Sequence, residues 1–119
     1  MIKILAFVLA MFYATTAQAL ELLMYHNKNC GYCIAFMEEV YPFYKYDNLP
    51  LVIIEQGNEP IWFVEAYVEN RIKPLRGTPT FIIWNGRKEL TRLYGYGTRE
   101  NFYERIEQKF KPGYLNEQN

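Results

Sequence analysis

The two cysteines of the chain, Cys30 and Cys33, are separated by only two residues. A disulfide between them closes a very small ring, so it constrains the unfolded chain little and adds little stability. Two cysteines cannot build a disulfide-dense scaffold. Together with the single histidine they supply too few ligands for a closed structural zinc site. The pair therefore indicates chemistry rather than reinforcement, and the fold has to place it where chemistry can occur.

The composition favours one globular domain. The chain has 119 residues, half of them hydrophobic and 18% aromatic, which excludes a disordered protein. Its 13 Lys and Arg residues balance its 13 Asp and Glu residues, whereas a nucleic-acid-binding protein should be basic. The sequence has no glycine-rich phosphate loop, paired-carboxylate site or nucleotide-binding fingerprint. We therefore expect no cofactor and no nucleic-acid partner.

The N-terminal segment has the pattern of a secretory signal peptide. Lys3 precedes an apolar run at residues 4–13, and residues 17–19 (Ala-Gln-Ala) match a small-x-small cleavage site. A membrane-spanning helix needs about 20 apolar residues, and polar residues interrupt this run earlier. We expect cleavage after Ala19 and a periplasmic or secreted protein without a stable membrane span, in a compartment where disulfides persist. An uncleaved anchor and a cytosolic chain are the alternatives.

Hydrophobic periodicity predicts an α/β domain at residues 20–119 with the element order β-α-β-α-β-β-α. Short apolar runs predict strands at residues 20–25, 51–54, 80–84 and 89–94. Asn85-Gly86 predicts a type I′ turn, with positive φ at both positions, between the last two strands. The two βα units should give parallel strands and the hairpin antiparallel ones, with helices on both faces of a four-stranded mixed sheet. A polar tail is expected from about residue 114.

Three helices complete this pattern. The first should start at Cys30 and run for about four turns, with a kink or break near its end because of Pro42. The second should start at Pro60 and continue to about Arg71. The third should be capped by Thr98. The apolar stripes predicted for the three helices are, in order, Ile34, Met37, Val40 and Tyr41; Ile61, Val64, Ala66, Tyr67 and Val68; and Phe102, Ile106 and Phe110.

A cysteine at the start of a helix has a distinctive environment. Free backbone N–H groups and the partial positive charge of the helix N-terminus both favour a thiolate, so they lower the pKa of Cys30. Cys33 lies one turn further along the same face, close enough to attack a mixed disulfide formed on Cys30. Gly31 allows the backbone to bend, and Tyr32 adds an exposed aromatic ring at the rim.

Together with a second motif, the cysteine pair at the start of a helix makes the sequence resemble the thioredoxin family. The matching segments are residues 30–33 (Cys-Gly-Tyr-Cys) after a strand and residues 77–80 (Gly-Thr-Pro-Thr) before the third strand. The second segment resembles the family's cis-proline loop, and residues 93–97 resemble part of its terminal hairpin. The resemblance spans residues 22–110 and is greatest to small secreted bacterial thioredoxin-like proteins, including those found with sulfur-oxidation systems.

The resemblance implies a thiol–disulfide oxidoreductase with a minimal thioredoxin fold. In it Cys30 is the attacking thiolate, Cys33 resolves the mixed disulfide, and Pro79 follows a cis peptide bond. The substrate-binding residues are then expected to be Gly31, Tyr32, Thr78 and Pro79. The implied partners are protein thiol or disulfide clients and a redox partner protein, and we expect a monomer without a metal.

Several departures from the family pattern leave the direction of electron flow open. Asn29 stands where many thioredoxins have Trp, and Tyr32 stands where they have Pro. The strand before the motif lacks the family's buried carboxylate, unless Glu21 points inward. We expect the domain to lack the first strand and helix of full-length thioredoxins. We therefore expect a more oxidising pair than a cytosolic reductant, for which about −270 mV is typical.

Other functions use the same residues. His26 can stabilise the Cys30 thiolate or join a metal site, or it is a polar turn residue without a role. A metal-handling module would bind Cu(I) or zinc through Cys30, Cys33 and His26, because soft thiolates suit these ions. A non-catalytic adaptor of the same fold would only dock a partner. A Cys–His protease or transferase is disfavoured, since it needs no second cysteine and no third catalytic group is identifiable.

Overall fold

The computed structural model describes residues 19–109. The elements are, in chain order, β1 (Glu21–His26), α1 (Gly31–Glu39), β2 (Leu51–Glu55), α2 (Ile61–Val68), β3 (Thr80–Trp84), β4 (Glu89–Tyr94) and α3 (Arg99–Lys109). The predicted element order is confirmed. The predicted signal peptide, Phe110 and the predicted polar tail fall outside the described residues. None of the described helices is long and apolar enough to cross a membrane.

The four strands form one mixed sheet in the order β2-β1-β3-β4. β1 and β2 are parallel, as predicted, whereas β3 is antiparallel to both β1 and β4. The prediction that the second βα unit also returns parallel is wrong. α2 has eight residues and so spans only about 12 Å. The irregular residues 69–79 then bring the chain back to the sheet edge where β2 ends, so β3 starts from that edge.

The sheet separates two hydrophobic clusters, which confirms that helices cover both faces. On one face, side chains of β1 and β3 pack against α1 and α3; the fully buried members include Leu22, Met24, Cys33, Phe36, Phe81, Phe102 and Ile106. On the other face α2 packs on the sheet; the buried members include Leu23, Tyr25, Ile54, Phe63, Ala66, Ile82 and Trp84. Each large apolar side chain buried in this way contributes about 1.5–3 kcal/mol, so the two clusters hold the sheet and its helices together.

The buried faces of the first two helices differ from the predicted stripes. Of the predicted stripe of α1, Val40 is buried and Met37 is partly buried, whereas Ile34 and Tyr41 are exposed and the helix buries Cys33 and Phe36 instead. α1 is also shorter than the predicted four turns: it ends at Glu39, and a short 3-10 helix at Tyr41–Phe43 takes up Pro42 in its first turn. Both faces of α1 carry apolar side chains, so periodicity alone could not distinguish the buried one.

α2 shows the same difference more strongly. It buries Phe63 and Ala66, while the predicted stripe is otherwise exposed, at Ile61, Val64, Tyr67 and Val68. The helix also ends at Val68 instead of continuing to Arg71, because the backbone at Asn70 adopts the left-handed conformation with φ 61°. An apolar helix face is therefore left on the surface of the described domain.

The last two predictions of local structure have mixed outcomes. The hairpin is present, but only Gly86 has a positive φ (90°), so the predicted type I′ turn is wrong. Asn85 instead accepts hydrogen bonds from the backbone N–H groups of Arg87 and Lys88 through its side-chain oxygen. The predicted cap of α3 is confirmed, since the Thr98 hydroxyl oxygen accepts a hydrogen bond from the Asn101 N–H at 3.1 Å.

Candidate functional site

The two cysteines lie at the sheet edge where β1 and β2 end and β3 begins. A turn built by Asn27 connects β1 to α1: its side-chain oxygen accepts from the Asn29 N–H at 2.8 Å, and its carbonyl accepts from the Cys30 N–H at 3.0 Å. Cys30 is the N-cap residue of α1, with an extended backbone and no side-chain capping bond. Its sulfur is therefore available for contacts other than capping.

Cys30 is half-buried and sits beside the loop that precedes β3. Its thiol donates to the backbone carbonyl of Thr78 over 3.5 Å. Burial opposes ionisation, but hydrogen bonding to Thr78, to the Cys33 thiol and to the N–H groups of Cys33 and Tyr32 outweighs it, so the pKa of Cys30 is lowered. The largest of these lowering contributions is the side-chain hydrogen bond with Thr78, followed by those with Cys33 and Tyr32.

Cys33 has the opposite environment. Its side chain is 0% exposed and belongs to the cluster on the α1 face of the sheet. Burial raises the pKa of the Cys33 thiol, and the neighbouring Cys30 sulfur raises it further, although hydrogen bonding to the Asn27 backbone opposes this. The structure thus brings together two free thiols that differ in exposure and in ease of ionisation.

The loop opposite the cysteines is held at several points. The Thr78–Pro79 peptide bond is cis, which is the form that the resemblance implied, and Pro79 is buried. The buried Thr80 hydroxyl donates to the Gly77 carbonyl at 2.7 Å, and the Gly95 N–H donates to the Pro79 carbonyl at 2.9 Å. The loop therefore presents the Thr78 backbone next to Cys30.

The two residues between the cysteines lie at the surface. The Tyr32 side chain is 67% exposed, as expected of an aromatic ring at the rim. Gly31 lies in the first turn of α1 and its φ is not positive, so the predicted backbone bend is not found there. A Cβ at Gly31 would meet no atom within 4 Å. The absence of a side chain at this position therefore keeps the approach to Cys30 open rather than relieving strain.

Comparison with known protein families decides the membership of the chain. The sequence model of the thioredoxin-like domain matches residues 8–110. The chain belongs to the thioredoxin-like domain family. No curated protein matches the sequence significantly.

Solved structures agree with this family fold. The periplasmic thioredoxin SoxS from Paracoccus pantotrophus, in its reduced form, has a TM-score of 0.62 and 24% identity over 83% of this chain and 97% of its own. Fasciola hepatica thioredoxin has a TM-score of 0.58 and 17% identity over 89% and 94%. Thioredoxin f2 in complex with ferredoxin:thioredoxin reductase has a TM-score of 0.57 and 16% identity over 80% and 81%. These neighbours are thioredoxins, and Cys30 and Cys33 lie close together here as a pair.

Two other candidate residues of this thioredoxin-like domain form no hydrogen bond with the cysteine pair. None of the contacts that shift the pKa of Cys30 comes from His26, whose Nδ1 is buried without a hydrogen-bond partner. Glu21 begins β1, opposite Trp84 and at the far end of the strand from the cysteines. Among residues 19–109 there is no group of three or more His, Cys, Asp or Glu side chains that could hold a metal ion.

One part of the site was missed by sequence reasoning. The Arg92 guanidinium forms an ion pair with Glu89 and also donates to the carbonyls of Lys73 and Pro74 and to the Tyr94 hydroxyl. These bonds use its full set of five N–H donors. The pair thereby holds the segment that leads into the Thr78–Pro79 loop. Residues three apart on a regular strand face opposite sides of the sheet. The sequence therefore gave no indication that Glu89 and Arg92 form an ion pair. A register shift between β3 and β4 beside Glu89 changes this alternation.

Proposed function

We propose that this thioredoxin-like protein is an exported thiol–disulfide oxidoreductase that exchanges a Cys30–Cys33 disulfide with protein clients. The observation that carries the proposal is the contrast between the two thiols. Cys30 is half-buried with a lowered pKa, whereas Cys33 is fully buried with a raised pKa. A nucleophilic cysteine has to be ionised and accessible, and a resolving cysteine needs only to reach the first one.

The exchange follows from these positions. The Cys30 thiolate attacks one sulfur of a client disulfide; the client S–S bond breaks as the new S–S bond forms, and the other client sulfur leaves as a thiolate. Cys33 then gives its proton to that leaving sulfur, directly or through water, and attacks the Cys30 sulfur. The bond between Cys30 and the client breaks, and the released client thiolate takes a proton from water. Two electrons have moved from the cysteine pair to the client, and the reverse sequence donates a disulfide.

The residues around Cys30 are proposed to hold the client. The Thr78 backbone, 3.5 Å from the Cys30 sulfur at its carbonyl, would pair with an extended client segment, with Pro79 shaping the loop. The exposed ring of Tyr32 and the open surface at Gly31 would border that segment on the other side. The protein would act on its clients as a monomer and exchange electrons with a redox partner protein.

Export is proposed from the N-terminal sequence pattern. The basic start, the apolar run and the Ala-Gln-Ala site at residues 17–19 fit a signal peptide. The likeness to a thioredoxin described as periplasmic is consistent with that location. We propose the periplasm or the cell exterior as the site of action, and residues 20–119 as the mature domain.

Trapping of clients tests the proposed function. The variant Cys33→Ser is expected to accumulate disulfide-linked complexes in the exported fraction, because nothing then displaces the client from Cys30. The matched control, Cys30→Ser together with Cys33→Ser, should accumulate none. Diagonal electrophoresis and mass spectrometry measure both, and a trapped chain beginning at Leu20 would establish cleavage after Ala19.

Two rival functions predict different results. A metal-handling module would show no trapped clients, and the reduced protein would retain Cu(I) or zinc stoichiometrically through its thiolates. An adaptor that only docks a partner would keep its cellular effect when both cysteines are replaced by serine. Either result would remove the oxidoreductase proposal.

The reduction potential is expected to be less negative than about −270 mV, the value typical of thioredoxin. The lowered pKa of Cys30 stabilises the reduced form, and the β1 residues that share a cluster with Cys33, Leu22 and Met24, are apolar and cannot accept its proton. Equilibration with glutathione buffers measures the potential. A potential more negative than thioredoxin's would contradict this expectation.

Thiolate absorbance at 240 nm should show that Cys30 ionises below the ordinary cysteine pKa, so that its attack slows only when the pH falls below that lowered pKa.

A further inference from the structure

A cavity of about 330 Å³ lies on the sheet face opposite Cys33. Its lining residues are Tyr25, Glu59, Phe63, Val64, Tyr67 and Leu75. The Tyr25 and Phe63 rings lie nearly parallel with centroids 5.7 Å apart, and both side chains are buried, at 6% and 2% exposed. Val64 and Tyr67, from α2, are 46% and 42% exposed. The cavity is therefore open to solvent and large enough for one bulky apolar side chain.

Glu59 gives this apolar cavity a negative charge. One carboxylate oxygen accepts from the Tyr25 hydroxyl at 3.2 Å, and the other accepts from the Gly57 N–H at 3.0 Å. Burial and the bond to Glu59 raise the pKa of Tyr25 to about 12, so its phenol remains a donor at neutral pH. Both partners of Glu59 are neutral, and within residues 19–109 no ion pair includes it. The carboxylate is thus held in place without a cation.

The cavity opens at the same sheet edge as the cysteine pair. Tyr25 lies opposite Ile54 at the end of β2 and opposite Thr80 at the start of β3. Leu75 is three residues from Thr78, which an extended chain covers in at most about 11 Å, and the Thr78 carbonyl is 3.5 Å from the Cys30 sulfur. A client segment bound at Thr78 therefore needs only about four or five further extended residues to reach the cavity.

We propose that this cavity is a docking site for a client segment that carries a bulky apolar side chain next to a Lys or Arg. The apolar side chain enters the cavity beside Tyr25, Val64 and Tyr67, and the cation pairs with Glu59. The charge of Glu59 is the observation that selects this occupant over a purely apolar one. The inference deepens the proposed function, on which it rests, by naming a recognition element for clients of that exchange.

Matched peptide disulfides test the proposal. Three peptides differ only in one dipeptide, which is Phe-Lys, Phe-Glu or Ser-Lys. The dipeptide stands four residues from the reacting cysteine, on either side. Wild-type protein is expected to reduce the Phe-Lys peptide with a KM about tenfold below that of the other two. In Glu59→Gln the ratio of the KM for Phe-Glu to the KM for Phe-Lys should fall by about threefold, which is the effect expected from losing one exposed ion pair. In Val64→Trp, which fills the cavity, the advantage of Phe-Lys over Ser-Lys should be lost.

A charge-matched control separates recognition from net charge. Glu104→Gln removes one carboxylate from the exposed face of α3 and should leave the ratios between peptides as in wild type. Thermal melting shows whether each variant is folded, and the ratio between two peptides on one variant is independent of the amount of active protein. If wild-type protein reduces all three peptides with equal KM, or if Val64→Trp changes the oligomeric state instead of the ratios, the docking site is overturned. If it reduces none of them, the proposed function itself fails.

Discussion

Replacement of Cys30 by serine is expected to reduce disulfide-exchange turnover by at least about a thousandfold, since removing the nucleophile of an enzyme usually costs more than that. The serine hydroxyl does not ionise near neutral pH, so the environment that lowers the pKa of Cys30 has no thiolate to stabilise. Reduction of insulin disulfides, followed as turbidity with dithiothreitol as electron donor, measures turnover. The variant should bind client peptides normally, because Thr78 and Pro79 are unchanged.

Cys33→Ser is the matched comparison for that variant. It keeps the attacking thiolate, so a single-turnover reaction should still form the mixed disulfide, while multiple turnover stops. The two serine variants therefore differ in which step is lost, although each removes one sulfur atom from the same motif. Turnover by Cys30→Ser within tenfold of wild type would show that Cys30 is not the nucleophile.

The position of the cysteine pair could be predicted from the sequence because local signals determine it. A short apolar run, a polar turn at residues 27–29 and a helical pattern from Cys30 onward place the motif between β1 and α1. Strand periodicity also identified the four strands to within a residue or two. These features depend on neighbours in the chain, and hydrophobic patterning describes such neighbours well.

The buried faces of α1 and α2 could not be predicted because both helices are apolar on more than one side. In α1, Phe36 packs against the rings of Phe81, Tyr96 and Phe102, which come from distant parts of the chain. The choice of Phe36 over Ile34 is made by those rings. The same applies to Phe63 of α2, which stacks on Tyr25 of β1. Tertiary contacts thus decide between faces that periodicity scores alike.

The direction of β3 and the Arg92 network also depend on long-range geometry. The irregular residues 69–79 carry little periodic signal, yet they determine the edge from which β3 starts and hold the loop beside Cys30. Glu89 and Arg92 face each other only because the β3–β4 register shifts next to Glu89. The candidate site was therefore predictable at its cysteines and not at the contacts that support the opposite loop.

The contacts of Arg92 lead to a large expected effect on stability. The side chains of Arg92 and Glu89 are 8% and 2% exposed, and the closest N–O distance between them is 2.5 Å. Glu89→Ala leaves the guanidinium buried without its carboxylate, and breaking a buried pair in this way costs about 3–5 kcal/mol. Since a domain is stabilised by only about 5–15 kcal/mol, the variant should unfold at much lower urea concentration. The exposed pair of Arg71 and Glu69 provides the control, because Glu69→Ala should cost about 1 kcal/mol or less.

Replacing both partners separates the charge from the loop that it holds. Glu89→Leu combined with Arg92→Met removes the buried charge and should recover most of the lost free energy of unfolding. The donors to the Lys73 and Pro74 carbonyls and the acceptor for the Lys73 N–H remain missing, so the segment before Thr78 loses three hydrogen bonds. The double variant is therefore expected to be nearly as stable as wild type but to show a raised KM for client disulfides.

A loss below about 1 kcal/mol in Glu89→Ala, measured by urea denaturation, would mean that the pair does not support the fold. An unchanged KM in the stable double variant would mean that Arg92 does not position the Thr78–Pro79 loop for its client.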